Sequence, residues 1–219
     1  MGAAIESFAV AAGRIASIVT SLEMRRLPPP DRASLARDDL RLERVARPQP
    51  GFYRDLQRRV GARWLWFSRL RLSDEALMAI LDDPAVELYV LRRLDRPGDG
   101  PDAAVGIVEL DRRQPGQVEL AFLGVTEDLL GQGAGRFMIA SAIEIVRDHN
   151  CERFWVHTCT LDHPAAIRAY ERAGFRAFAR SVEITDDPRL DGTLPADAAP
   201  HVPLIAPDGP GATGGEAEG

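Results

Sequence analysis

The 219-residue chain contains no lysine; all 27 of its basic residues are arginines. A phosphate loop of the G-x-x-x-x-G-K-[ST] kind, which needs a lysine, is thereby excluded. Cysteine is nearly as scarce. Cys151 and Cys159 are too few for a disulfide framework and read as two reduced thiols of a cytoplasmic protein. With His149 and His157 they form too sparse and too poorly spaced a set for a metal site, so no metal is expected. No apolar run approaches 18 residues, so no membrane span is expected. The apolar stretch Phe8–Ala12 is preceded by Glu6, is followed by Arg14 and lacks a basic leader, so it does not read as a signal peptide. There is no basic stripe either, which argues against duplex nucleic acid as a partner.

What the chain does have is an apolar content of 45%, enough for a sizeable core in one domain. Its net charge of −6 is unevenly placed: from Asp186 onward one arginine faces seven acidic residues, and the first 185 residues are balanced. The same 34 terminal residues hold six prolines and six glycines without helical or strand periodicity. The expected organisation is therefore a folded domain over 1–185 and an acidic, disordered tail over 186–219.

Periodicity sketches the domain. A strand is expected over 14–27, and a loop or short strand over 31–50. The spacing of Phe52, Tyr53, Leu56 and Val60 predicts a helix stopping at Gly61. Ser73-Asp-Glu75 predicts another, running to about Leu81. Strands follow at 86–91, 104–110 and 118–125, separated by turns at 96–101 and 114–117. A helix over 135–148, a buried strand over 153–159, a helix from Pro164 to Ala173 closed by Gly174, and a last strand over 175–184 complete the pattern.

The segment Leu129-Leu-Gly-Gln-Gly-Ala-Gly-Arg136 stands where strand passes into helix. Glycines at 131, 133 and 135 let the backbone approach a bulky anion, and the helix start offers unpaired N–H groups and a positive dipole end. The spacing is not the dinucleotide fingerprint G-x-G-x-x-G. Taken alone, the loop has a plain alternative, a tight turn with no ligand.

Two motifs together carry a resemblance. The glycine loop is similar to the Q/R-x-x-G-x-G/A signature of the GNAT superfamily of acyl-CoA-dependent N-acyltransferases, with Gly133 and Gly135 in the glycine slots. Downstream, His163-Pro-Ala-Ala-Ile-Arg-Ala-Tyr-Glu-Arg-Ala-Gly-Phe175 resembles that family's N-x-x-A-x-x-x-Y-x-x-x-G-F segment. With the strand pattern, the likeness covers roughly residues 100–184. It implies an α/β fold: a mixed, mainly antiparallel twisted sheet with splayed central strands and helices on both faces. It implies acetyl-CoA as cosubstrate, held by the main chain around Leu123 and Val125, by Leu130, Gly131, Gln132, Gly133, Ala134, Gly135 and Arg136, and near His163. Two departures stand out: Leu130 replaces the usual Gln or Arg, and His163 the usual Asn.

The activity implied is transfer of an acetyl group from acetyl-CoA to a primary amine by direct attack. The acceptor is a small molecule or peptide that the sequence does not name, and homodimerisation is left open. Such a reaction needs a base, donors for the oxyanion and an acid near sulfur. Glu119 takes the base's position in the resemblance, six residues before Val125. Glu109 is the substitute, and a solvated strand-edge carboxylate is the plain alternative. Tyr170 takes the acid's position; its plain alternative is a core tyrosine. A bulge near Gly124 is expected to splay the strands. Trp64, Trp66 and Phe67 are candidates for the acceptor pocket, or for core. A non-catalytic acyl-CoA-binding module is the competing reading.

Overall fold

The computed structural model describes residues 5–95 and 103–207. One seven-stranded sheet organises them. Its strands are β1 (Arg14–Met24), β2 (Leu40–Val45), β3 (Val86–Arg93), β4 (Ala104–Asp111), β5 (Gln117–Val125), β6 (Arg153–Cys159) and β7 (Arg176–Asp186). Their spatial order is β2-β3-β4-β5-β6-β1-β7. Every neighbouring pair is antiparallel except β5 and β6. This is the mixed, mainly antiparallel sheet that the resemblance implies.

The helices cover both faces. On one lie α2 (Pro50–Gly61) and α3 (Asp74–Leu81). Tyr53, Leu56 and Val60 of α2, spaced by three or four residues, pack with Leu77 and Leu81 of α3 onto Leu88, Val90 and Ile107. Ser73 caps α3, its hydroxyl accepting the Ala76 N–H at 3.1 Å, while Asp74 and Glu75 sit at the positive end of the dipole. On the other face, α4 (Ala134–Arg147) buries Phe137, Met138, Ile139, Ala142, Ile143 and Val146 beside Tyr170 of α5 (Ala166–Ala173). Gly174 ends α5 at φ +107, a conformation that glycine adopts without strain.

Some boundaries move. The first strand stops at Met24, and the stretch 31–50 holds both a four-residue helix α1 (Arg32–Leu35) and β2. The expected turn at 114–117 is present, with Gly116 at φ +71. The turn expected at 96–101 lies outside the described residues. The larger difference concerns β1. It is inserted between β6 and β7, matching Val19 with Cys159 and Ile18 with Val182. The N-terminal strand thus lies beside the last elements of the domain.

The C-terminal segment also departs from expectation. Over 187–207 it is not a disordered tail but packs on the body. Leu194 and Ala199 are buried against Ile15 and Leu65. The Asp187–Arg189 ion pair is fully buried, with Nη2 at 2.6 Å from Oδ2, and the Arg189 guanidinium also donates to the carbonyls of Ala198 and Val202. The Gly13 N–H donates to Ile205 O and the Asp187 N–H to Gly13 O, so both ends of the segment are tied to the start of β1. Buried charge paired in this way, with its remaining donors satisfied, holds a chain whose composition alone offers little apolar area.

Leu194→Ala should therefore destabilise the fold by about 2–5 kcal/mol, the usual loss for a buried leucine. At roughly 2–4 °C per kcal/mol, the melting temperature should fall by at least 4 °C. An unchanged melt would show that the segment does not pack.

Candidate active site

The central feature is a separation between β5 and β6. These strands pair only at Gln117–Arg153, Val118–Phe154 and Glu119–Trp155, with no further pair among the described residues. The cause lies on β5's other side. Glu109 is matched with Phe122 and Leu110 with Leu120, which leaves Ala121 as an extra residue. Such a bulge bends and twists its strand, and it lies just past the last pair with β6. The bulge thus falls at Ala121 rather than at Gly124. It also resets the side-chain alternation, so that Phe122 comes to the same side as Glu119. Gly124 has another role. A Cβ there would lie 2.5 Å from Val60 Cγ1 and 2.9 Å from the Trp66 ring, and one at Gly61 would lie 2.6 Å from Trp66. Two glycines thus make room for one indole.

Between the parted strands runs a cleft of about 920 Å³. Leu123 and Val125 lie in the stretch of β5 that has lost its β6 partner, and both line the cleft. Backbone groups on that edge are free to bind a ligand, as a regular ladder would not allow.

The glycine loop closes one end. Gly131 and Gly133 have φ of +74 and +80, where a side chain would be strained. Gly133 is the N-cap of α4 and offers no side-chain cap to the first turn. Gly135 is more informative. Its φ is not positive, and a Cβ there would meet nothing within 4 Å. Neither backbone conformation nor packing requires glycine in this first turn, where it costs about 1 kcal/mol relative to alanine. A ligand approaching the helix N-terminus would require it. Leu130, Gly131, Gly133, Gly135 and Arg136 line the cleft. Two expected side chains do not. Ala134 is buried in the core, and Gln132 turns back on the loop, its Nε2 donating to Asp128 O at 2.5 Å. Arg37 was not foreseen: its Nη1 donates to Gln132 O at 2.9 Å and braces the loop from outside. Only its proximity in space, not any motif, brings it there.

The opposite end holds the polar groups. Glu119 lies with one carboxylate oxygen 3.0 Å from Nδ1 of His157, a residue of β6 that sequence reasoning weighed only as a metal ligand. The hydrogen bond to Glu119 raises the His157 pKa above its usual 6.5, against the effect of burial. Glu109 is fully buried and is not part of the cleft wall. Tyr53 donates to it from one side and Arg69 Nη2, at 2.6 Å, from the other. Held between two donors and sealed from the cleft, it is poorly placed to act as the substitute base. Tyr170 reaches the cleft from α5, and burial and the nearby Asp162 carboxylate push its pKa up, so it stays a protonated phenol. His163 also lines the cleft, its Nδ1 accepting the Ala165 N–H at 3.1 Å and its ring meeting Trp64 edge-on.

Aromatic residues from the stretch after α2 form the outer wall. Trp66 Nε1 donates to Asp162 Oδ1 at 2.9 Å, spanning from the α2 side to the loop after β6, and its ring packs against Phe122. Asp162 in turn accepts from Thr158 Oγ1 and the Cys159 N–H. Leu65, at φ +54, is strained for a non-glycine residue, and it is buried against Ile15 and Leu194. Arg71 stacks on Phe67 and pairs with Asp191. The C-terminal segment therefore buttresses this wall of the cleft. Burial raises the pKa of Cys159, which does not suit a nucleophile. Among the described residues no group of His, Cys, Asp or Glu is arranged to hold a metal ion, and no helix is long and apolar enough to cross a membrane.

Residues 44–175 match the sequence profile of the Acetyltransferase (GNAT) family. Solved structures share the fold. A protein assigned as a GNAT-family acetyltransferase from Novosphingobium aromaticivorans aligns at TM-score 0.52 and 16% identity, over 82% of this chain and 69% of its own. A GCN5-related N-acetyltransferase from Sphaerobacter thermophilus aligns at 0.52 and 15%, over 81% and 53%. A conserved protein of unknown function from Staphylococcus epidermidis aligns at 0.50 and 16%, over 80% and 64%. The chain thus spans about half to two thirds of the length of these structures. No curated protein matches it in sequence.

Gly135→Ala separates a ligand-driven glycine from a structural one. The variant should melt at the same or a higher temperature without ligand, gaining up to about 1 kcal/mol from helix propensity. It should also bind acyl-CoA at least tenfold more weakly in a calorimetric titration. Unchanged affinity would remove the helix start from the binding site.

Proposed function

The chain belongs to the acetyltransferase (GNAT) family, and on that premise we propose that it transfers an acetyl group from acetyl-CoA to a primary amine by direct attack in a ternary complex. The observation that carries this reading is the separation of β5 from β6. It exposes main-chain groups at Leu123 and Val125 between an anion cradle at one end and the Glu119–His157 pair at the other. The family binds acyl-CoA, and the residues present fit it. Gly131, Gly133, Gly135 and the start of α4 suit the pyrophosphate, and the edge of β5 suits the pantetheine and the thioester carbonyl. The cosubstrate supplies the activated acetyl group.

The chain's own groups divide the remaining work. At the Glu119 corner the acceptor ammonium loses a proton and becomes nucleophilic. Main-chain donors of β5 stabilise the oxyanion of the tetrahedral intermediate. The Tyr170 phenol, protonated at neutral pH, hydrogen-bonds to the departing sulfur and relays a proton to it; the low thiol pKa of about 8.5 makes that sulfur a good leaving group. Trp66, Phe67 and Phe122 suit an acceptor with an apolar body. Two separate thiols and the absence of a disulfide suit the cytoplasm.

Incubation with acetyl-CoA and a panel of primary amines, followed by thiol release, tests the reading. At least one amine should be turned over. Tyr170→Phe should lower kcat about 10²-fold while leaving acetyl-CoA affinity within about twofold. Binding without turnover of any amine would favour an acyl-CoA-binding module instead.

A further inference from the structure

Resting on the acyl-transfer reading, we propose that the atom which takes the proton from the attacking amine is Nε2 of His157, and that Glu119 acts through it as a positioning residue. The geometry begins with the sheet. Glu119–Trp155 is the last pair before β5 and β6 part, and His157 stands one alternate position further along β6, inside the parted stretch. Its side chain leans back to the Glu119 carboxylate, with Nδ1 at 3.0 Å from Oε1. A carboxylate only accepts, so Nδ1 carries the hydrogen and the Nε2 lone pair is free. Both side chains line the cleft, but Glu119 is 21% exposed and engaged by His157, whereas the His157 side chain is 48% exposed. Of the two, the imidazole is the more accessible to a substrate.

The charges around His157 suit a base that works near neutral pH. Glu119 on β5, Glu183 on β7 and Asp162 in the loop after β6 all favour the imidazolium, while desolvation opposes it. On β1, Ser21 stands opposite in the register, and Glu23 is occupied by Arg25 and Arg153. Arg69 and Arg113 line the same cleft, but they are held by Glu109 and Asp111. The balance leaves a histidine titrating somewhat above its ordinary value, where an acceptor of protons from ammonium groups is effective.

The step balances. Nε2 takes one proton from R–NH₃⁺, and the freed amine attacks the thioester carbonyl carbon. The C–N bond forms and the C–S bond breaks, its electron pair leaving on sulfur. Tyr170 protonates the thiolate and is reprotonated by the second proton shed from nitrogen. The imidazolium returns its proton to solvent, so ammonium and acetyl-CoA yield amide, CoA thiol and one proton.

The test is the pH profile of kcat/KM in two variants, beside an NMR titration of His157 that needs no acceptor. His157→Gln should lower kcat/KM at pH 7.5 by about 10² or more and abolish the rising limb. Glu119→Gln should lose less and should move the limb to lower pH, because the carboxylate that raised the imidazole's pKa is gone. The His157 ring signals should titrate above 6.5 in the wild type and at lower pH in Glu119→Gln. Near-full activity of His157→Gln, or loss of the limb in Glu119→Gln alone, would overturn the proposal and return the base to Glu119. If no amine is turned over, the acyl-transfer reading fails; ring signals that do not respond to Glu119→Gln sink the pairing itself. Matching melts for all variants establish that each change is local.

Discussion

Everything functional in this fold depends on one interrupted ladder. A parallel pair of strands in the middle of a sheet normally satisfies its backbone groups from end to end. Here the extra residue Ala121 bends β5, and the ladder with β6 stops at Glu119–Trp155. The sheet gives up several hydrogen bonds at its centre, which is costly unless something else meets those groups. In return it gains a cleft walled by backbone edges, with rigid elements on both sides. A site built in this way is precise because it stands on strands rather than loops.

The rest of the molecule holds that cleft open and shaped. On the α2 side the Trp66 indole is seated by the absence of side chains at Gly61 and Gly124 and is anchored to Asp162 across the gap. Asp162 also accepts from Thr158 and the Cys159 main chain, so it fixes the end of β6 at the same time. Beyond it, β1 and the 187–207 segment form one unit, tied through Gly13 and packed on Leu65. The two ends of the described chain thus converge on the Trp66 side of the cleft, while the glycine loop and α4 close its other end.

What could be read from the sequence followed from locality. The glycine loop, the capped helix α3, the α5 stop at Gly174 and most strands are set by residues within a few positions of one another, and the structure has them. Features set at long range were not legible. Nothing in β1 announces that it will lie between β6 and β7, because its alternation fits any half-buried strand. The 187–207 segment has the composition of a disordered chain, yet a buried Asp187–Arg189 pair and two apolar residues, Leu194 and Ala199, fix it. His157 was visible as a histidine on a strand. Its meaning comes from Glu119, 38 positions earlier and adjacent only through the β5–β6 pairing. Composition misled in one case, and pairing over distance hid the others.

The central claim is that the unpaired edge of β5 is where acyl-CoA lies. Amide hydrogen exchange resolved to single residues, with and without saturating acetyl-CoA, tests it most directly. The account predicts that amides between Leu120 and Val125, together with those at the start of α4 from Ala134 to Arg136, become protected on binding, while β2 and β3 are unaffected. Binding that left both of these stretches unprotected, or that protected a different surface, would contradict it.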